Sequence, residues 1–132
     1  MTKPLDTAWP DLPNGFHDAE LGELTADLAR AEVRLGLEFW TGKLDAAAEA
    51  ERESRRRGVL RLQGVTAMVI EPPAEGYRFT TGGGALVDGG VGPYPGDPTP
   101  PDDGLVRLWF YVSTWNARML FTAKTAELEW LE

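Results

Sequence analysis

The chain of 132 residues carries a single histidine, His17, followed directly by Asp18, together with two serines and no cysteine. Histidine is the most frequent general acid or base, and a carboxylate on one ring nitrogen fixes its tautomer. Consecutive side chains on a strand point to opposite faces, so Asp18 is not placed to orient His17, which then needs a partner from elsewhere. The favoured reading is structural: a His-Asp pair that satisfies backbone groups at the start of the first strand. A small hydrolase or isomerase built on His17 remains the enzymatic alternative.

Other catalytic chemistry finds little support. Ser54 lies in a charged run and Ser113 inside a strand, and neither sits in a Gly-x-Ser-x-Gly elbow. One histidine without a thiol is a poor donor set for a transition metal. The spacing of Asp88, Asp97, Asp102 and Asp103 does not match a calcium-binding EF-hand loop. The glycines at 82–84 lack the Gly-Lys-Ser/Thr of a phosphate loop and the Gly-x-Gly-x-x-Gly of a dinucleotide fingerprint. The expectation is no catalytic residue, no metal and no cofactor.

Trp109, Tyr111 and Trp115 share one side of an alternating segment, with Leu108, Phe110 and Val112 on the other. An aromatic row on a sheet can stack a sugar or anchor a protein partner. It can equally be the second buried face of a central strand, since five tryptophans must be accommodated in a small core. These three residues, with His17 and Asp18, are the candidate binding residues.

The elements that must position them read as strands. Val33, Leu35, Leu37 and Phe39 alternate with Arg34, Gly36 and Glu38, a period of two. That strand, 32–41, needs a neighbour, and 20–28 supplies it across a turn. Residues 1–15 read as irregular, broken by Pro4, Pro10 and Pro13, with Trp9, Leu12 and Phe16 tacked onto the core. A third strand spans 59–70 and is expected to be covered on both sides over its second half. Residues 77–81 form a short edge strand, 106–115 the strongest strand, and 118–130 the last. Residues 45–57 have the best helix propensity, with acids early, arginines late and almost nothing apolar to bury. The basic cluster within it, interleaved with Glu49, Glu51 and Glu53, reads as a solvated helix face. Residues 82–104 hold eight glycines and five prolines in 23 positions, which predicts a long flexible loop.

The fold expected is therefore mainly β. It is an antiparallel meander of five to six strands, as a twisted sheet, sandwich or partial barrel, with one short exposed helix. A single domain over 1–132 fits the length.

The net charge is −8. Residues 1–42 contribute −5 and 58–104 contribute −4, against +1 from 43–57 and zero from 105–132. Such a field opposes nucleic acid and anionic membranes and favours a basic protein partner. No apolar run has the length of a membrane span, and the start of the chain lacks the apolar stretch of a signal peptide. With no cysteine to form disulfides, the expected location is the cytoplasm.

The run Gly15-Phe16-His17-Asp18-Ala19-Glu20-Leu21, followed by a hairpin and later by Trp115-Asn116, resembles a family of small bacterial proteins classed with the immunity protein 50 type of polymorphic toxin systems. The resemblance implies an acidic binder that neutralises a toxin, and it offers no catalytic residues. The sequence thus points first to a non-enzymatic protein-binding module. A small-ligand or carbohydrate-binding β domain is the alternative, and the His17 enzyme comes third.

Overall fold

The computed structural model describes residues 2–42, 47–52, 54–79 and 81–131. In chain order the elements are β1 (Thr2–Pro4), α1 (Leu5–Ala8), a 3-10 turn (Trp9–Asp11), β2 (Ala19–Asp27), β3 (Glu32–Trp40), α2 (Glu49–Arg52) and β4 (Arg55–Gln63). They continue with β5 (Ala67–Ile70), β6 (Ala85–Val91), β7 (Val106–Val112), β8 (Ala117–Ala123) and β9 (Thr125–Trp130). Among the described residues nine strands form one antiparallel open sheet in the order β1-β9-β4-β3-β2-β6-β7-β8-β5.

The period-two pattern sets which side is buried. Val33, Leu35, Leu37 and Phe39 of β3 face inward, as do Leu60 and Leu62 of β4 and Leu108, Phe110 and Val112 of β7. Together with Met119, Phe121 and Leu128 they form one cluster, which Leu5, Leu12 and Phe16 complete from the N-terminal segment. Phe16 is the keystone. Its ring centroid lies 5.2 Å from Trp9, 5.9 Å from Phe39 and 5.1 Å from Phe110, joining the entry segment to both halves of the sheet.

Nine strands replace the expected five to six for three reasons. First, the stretch 59–70 is divided into β4 and β5, and 118–130 into β8 and β9. The register explains how. Gln63 pairs with Thr125 and Ala67 with Thr122, so three residues stand on one strand against two on the other. This β-bulge bends the long ribbon sharply, with Gly64 at φ +64° and the Lys124 N–H shared by the Gln63 and Gly64 carbonyls. Second, β6 lies inside the segment expected to be loop. Third, β1 pairs with β9 in the segment expected to be irregular.

Three further expectations are corrected. The helix over 45–57 is reduced to Glu49–Arg52, and Asp45 lies outside the described residues. Residues 55–57 belong to β4, where they pair with Trp40, Phe39 and Glu38. Tertiary contacts override helix propensity here: the guanidinium of Arg55 lies 4.0 Å from the Trp40 ring, and that of Arg56 lies 4.2 Å from the Trp130 ring. The second half of the 59–70 stretch is not covered on both sides, because β5 is the end strand and all four of its residues are exposed. Residues 77–79 form no strand, and Thr80 lies outside the described residues. Among the described residues no helix is long and apolar enough to cross a membrane.

Candidate functional site

His17 is positioned from below by its neighbour. Phe16 is fully buried, so the chain on either side of it must turn outward. Tight turns from residue 12 to residue 19 do this, with His17 N–H donating to the Asn14 carbonyl at 3.0 Å. Asp18 adopts φ +53°, which a strand residue does not. The strand-alternation argument therefore fails at Asp18. Both side chains emerge on one side, and Asp18 Oδ2 lies 3.3 Å from His17 Nε2. The Asp18 carbonyl accepts the Trp40 indole N–H at 3.1 Å, which anchors the turn to β3.

The second partner comes from β6. His17 Nδ1 lies 3.1 Å from Asp88 Oδ2, while Asp88 Oδ1 accepts the Gly89 N–H at 2.9 Å. Both ring nitrogens thus face carboxylates. Only the imidazolium donates from both nitrogens, so the arrangement favours the charged form. The hydrogen bond to Asp88, then the charge of Asp18, raise the His17 pKa above its ordinary value. The side chain is 61% exposed.

The aromatic row divides. Trp109 and Tyr111 lie half-buried on the outer side of β7. Tyr94 closes edge-on over Trp109 at 5.4 Å, and Arg118, clamped by Glu71 at 3.1 and 3.2 Å, lies 5.0 Å over Tyr94. Tyr111 donates its hydroxyl hydrogen to Asn116 Oδ1. Trp115 is not in this row. Strand β7 stops at Val112, and Trp115 sits in the following turn, packed on the core and against Phe79 at 4.8 Å. Of the five candidate residues Trp115 stands apart from the row, while the register sets Asp88, the partner of His17, directly opposite Tyr111 on the outer side.

A larger concavity than any at these residues lies elsewhere among the described residues. A cleft of about 920 Å³ opens between the N-terminal segment, the stretch 91–107 and the β8–β9 bend. Leu5 and Trp9 form one wall, and Val91, Pro100, Pro101 and Leu105 form the other. Arg107, on the rim, is held bidentately by Asp103 at 2.9 and 2.7 Å. That contact holds the Asp103 carboxyl far below the usual carboxylate range and raises Arg107. Lys124, Asp6 and Asp102 complete the charged groups of the lining, and Thr125 supplies a hydroxyl.

None of the five sequence candidates lines this cleft. Trp9 carried no signal in the sequence beyond being an apolar residue beside a proline, and Leu105 none beyond being an apolar residue after a glycine. Asp88 was missed as the partner of His17 because its strand was read as loop. Of the four aspartates weighed as calcium ligands, two are otherwise engaged: Asp88 with His17, and Asp103 with Arg107. Among the described residues no group of three or more acidic or histidine side chains is placed to hold a metal ion.

No protein-family model, no curated protein and no solved structure matches this chain.

Proposed function

We propose that the chain is a non-enzymatic binding module whose apolar cleft receives a segment of a protein partner. The observation that supports this is the cleft itself. It has the volume of a binding site, apolar walls and a rim cation already neutralised by Asp103, with no histidine in its lining. His17, the residue on which an enzymatic reading rests, is held between two carboxylates outside it. The net charge of −8 steers a basic partner toward the molecule and turns nucleic acid and anionic membranes away. The resemblance to the immunity protein 50 type gives this reading its specific form: a bacterial cytoplasmic protein that neutralises a toxin.

A second reading is favoured by the cleft volume alone, which also falls within the range of small-molecule sites. The two are separated with Val91→Glu, which charges an exposed wall position, 55% accessible, without touching the core. Wild type and variant are used as bait in extracts of the native host, and each is titrated with an apolar reporter dye. A protein retained by the wild type and lost with Val91→Glu supports the partner reading. Dye binding lost in the variant with no protein retained by the wild type overturns it in favour of a small apolar ligand. Turnover that disappears in a folded His17→Ala variant overturns the non-enzymatic reading.

A further inference from the structure

The two ends of the sheet are built differently. Strand β1 has three residues, and two of them, Lys3 and Pro4, are types that commonly protect a sheet edge from pairing. Strand β5 is Ala67-Met68-Val69-Ile70, exposed throughout. No charged residue occurs between Arg61 and Glu71, and proline appears only at 72 and 73, beyond the strand.

The ladder fixes which backbone groups of β5 are free. The Glu71 N–H donates to the Arg118 carbonyl at 3.0 Å, which makes these two a hydrogen-bonded pair. Hydrogen-bonded and non-hydrogen-bonded pairs alternate along an antiparallel ladder. Given the register Ala67↔Thr122 to Ile70↔Met119, Ala67 and Val69 turn their backbone groups toward β8. Met68 and Ile70 turn theirs outward, to the open edge. Their side chains lie on the core side with Phe121 and Met119, while Val69 lies on the outer side beside Leu120.

We infer that this edge pairs with the same edge of a second copy of the chain, antiparallel about a two-fold axis at Val69. The free groups are symmetric about that residue. In this register the N–H of Met68 meets the carbonyl of Ile70 in the second copy, and the N–H of Ile70 meets the carbonyl of Met68. Every outward donor and acceptor on both strands is then used. Val69 meets its own copy on the outer side, and Met68 meets Ile70 on the core side, covering side chains that are 37%, 46% and 41% exposed at 68, 69 and 70.

The same register lays Pro72 and Pro73 of the second copy beside Thr66 and Val65. Those residues, with Leu28, line a groove of about 200 Å³ at the tip of the β2–β3 hairpin. Leu28 is 81% exposed there. Self-pairing brings no like charges together at the seam, so the repulsion between two chains of −8 acts at a distance and is screened by salt. The short seam makes the dimer concentration-dependent and favoured by salt.

The test measures molar mass by sedimentation across a concentration series, in low salt and in about 0.5 M salt. The wild type moves from 14.5 kDa toward twice that value, more readily at high salt, and Val69→Lys stays at 14.5 kDa. A wild type that remains monomeric up to about 1 mM in high salt overturns the proposal. Register is tested by oxidation, because the chain has no cysteine of its own. Val69→Cys places two thiols at a non-hydrogen-bonded pair with Cα atoms about 4.5 Å apart, within disulfide reach. Ala67→Cys places them about 13 Å apart, out of reach. Crosslinking at least tenfold faster in Val69→Cys supports the two-fold at Val69. Equal rates in the two variants, or no crosslink in Val69→Cys, overturn it.

Discussion

His17 Nδ1 lies 3.1 Å from Asp88 Oδ2, although 71 positions separate the two residues in the chain. The contact ties the turn that follows Phe16 to strand β6. It forms on the surface, and what it stabilises is a charge state of the ring.

The pH dependence follows from that charge state. Asp88 first, and then Asp18, raise the His17 pKa in the folded chain above the unfolded value of about 6.5. A raised pKa means that the folded state binds the proton more tightly than the unfolded state. The associated stability is fully present below the unfolded pKa and is lost as pH rises through the folded one. Proton NMR titration of the ring gives the folded pKa directly. Asp88→Asn lowers it more than Asp18→Asn does, because the hydrogen bond to Asp88 is the larger cause. An unchanged ring pKa in Asp88→Asn would show that the contact is not made in solution.

Phe110→Ala lowers unfolding free energy by about 3–5 kcal/mol in denaturant titration, the scale of truncating a large buried side chain. Phe110 is 1% exposed and packs against Phe16 at 5.1 Å and Phe121 at 6.1 Å. Two aromatic neighbours from different segments cannot both collapse into the space it leaves. A loss below about 1 kcal/mol would place Phe110 outside the core.

What was legible in the sequence depended on alternation. Strands β3 and β7 follow from apolar residues at every second position, and the inward faces of both are as that pattern requires. Strand β2 follows only as the neighbour that β3 needs, and of its alternating residues Ala26 and the following Leu28 are exposed. Strand β6 was hidden because Gly89 and Gly90 erase the alternation where it crosses β7. The breaks at Gly64 and Lys124 were hidden because a bulge changes the register by one residue without changing composition. At Asp18 a non-glycine residue takes positive φ, which the letters do not announce, and so the His17 pair was judged by the geometry of a strand it does not belong to. The cleft draws on three segments distant in sequence, and no local pattern encodes it.

Gly89 and Gly83 respond oppositely to alanine. A Cβ at Gly89 would lie 2.6 Å from the Trp109 carbonyl oxygen and 2.8 Å from the Phe110 ring, one of them backbone and the other a packed core group. Neither can yield cheaply, so Gly89→Ala destabilises by about 1–3 kcal/mol, the cost of overpacking. A Cβ at Gly83 meets nothing within 4 Å, so Gly83→Ala is neutral or stabilises by up to about 1 kcal/mol through the unfolded chain. Equal midpoints for the two variants in thermal unfolding would refute the close approach of β6 to β7.

Hydrogen exchange separates the two halves of the glycine- and proline-rich stretch. Strand β6 pairs with β7 from Val87↔Val112 to Val91↔Leu108, so amides of the stretch 87–91 that donate to β7 are sheltered. Residues 93–104 contain five prolines and three exposed aspartates, and outside the Asp103–Arg107 and Tyr94–Trp109 contacts few side chains there pack on the body. Ordering that backbone costs about 1–2 kcal/mol per residue with little burial to offset it. Exchange is therefore fast across 93–104 and slow at the bonded β6 amides, and limited proteolysis cuts first between 93 and 104. Cleavage is expected to leave β6 on the sheet while loosening one wall of the cleft, so the nicked chain should lose dye binding before it loses its circular dichroism signal. Fast exchange throughout 85–91 would remove β6 from the sheet, and with it the support that brings Asp88 to His17.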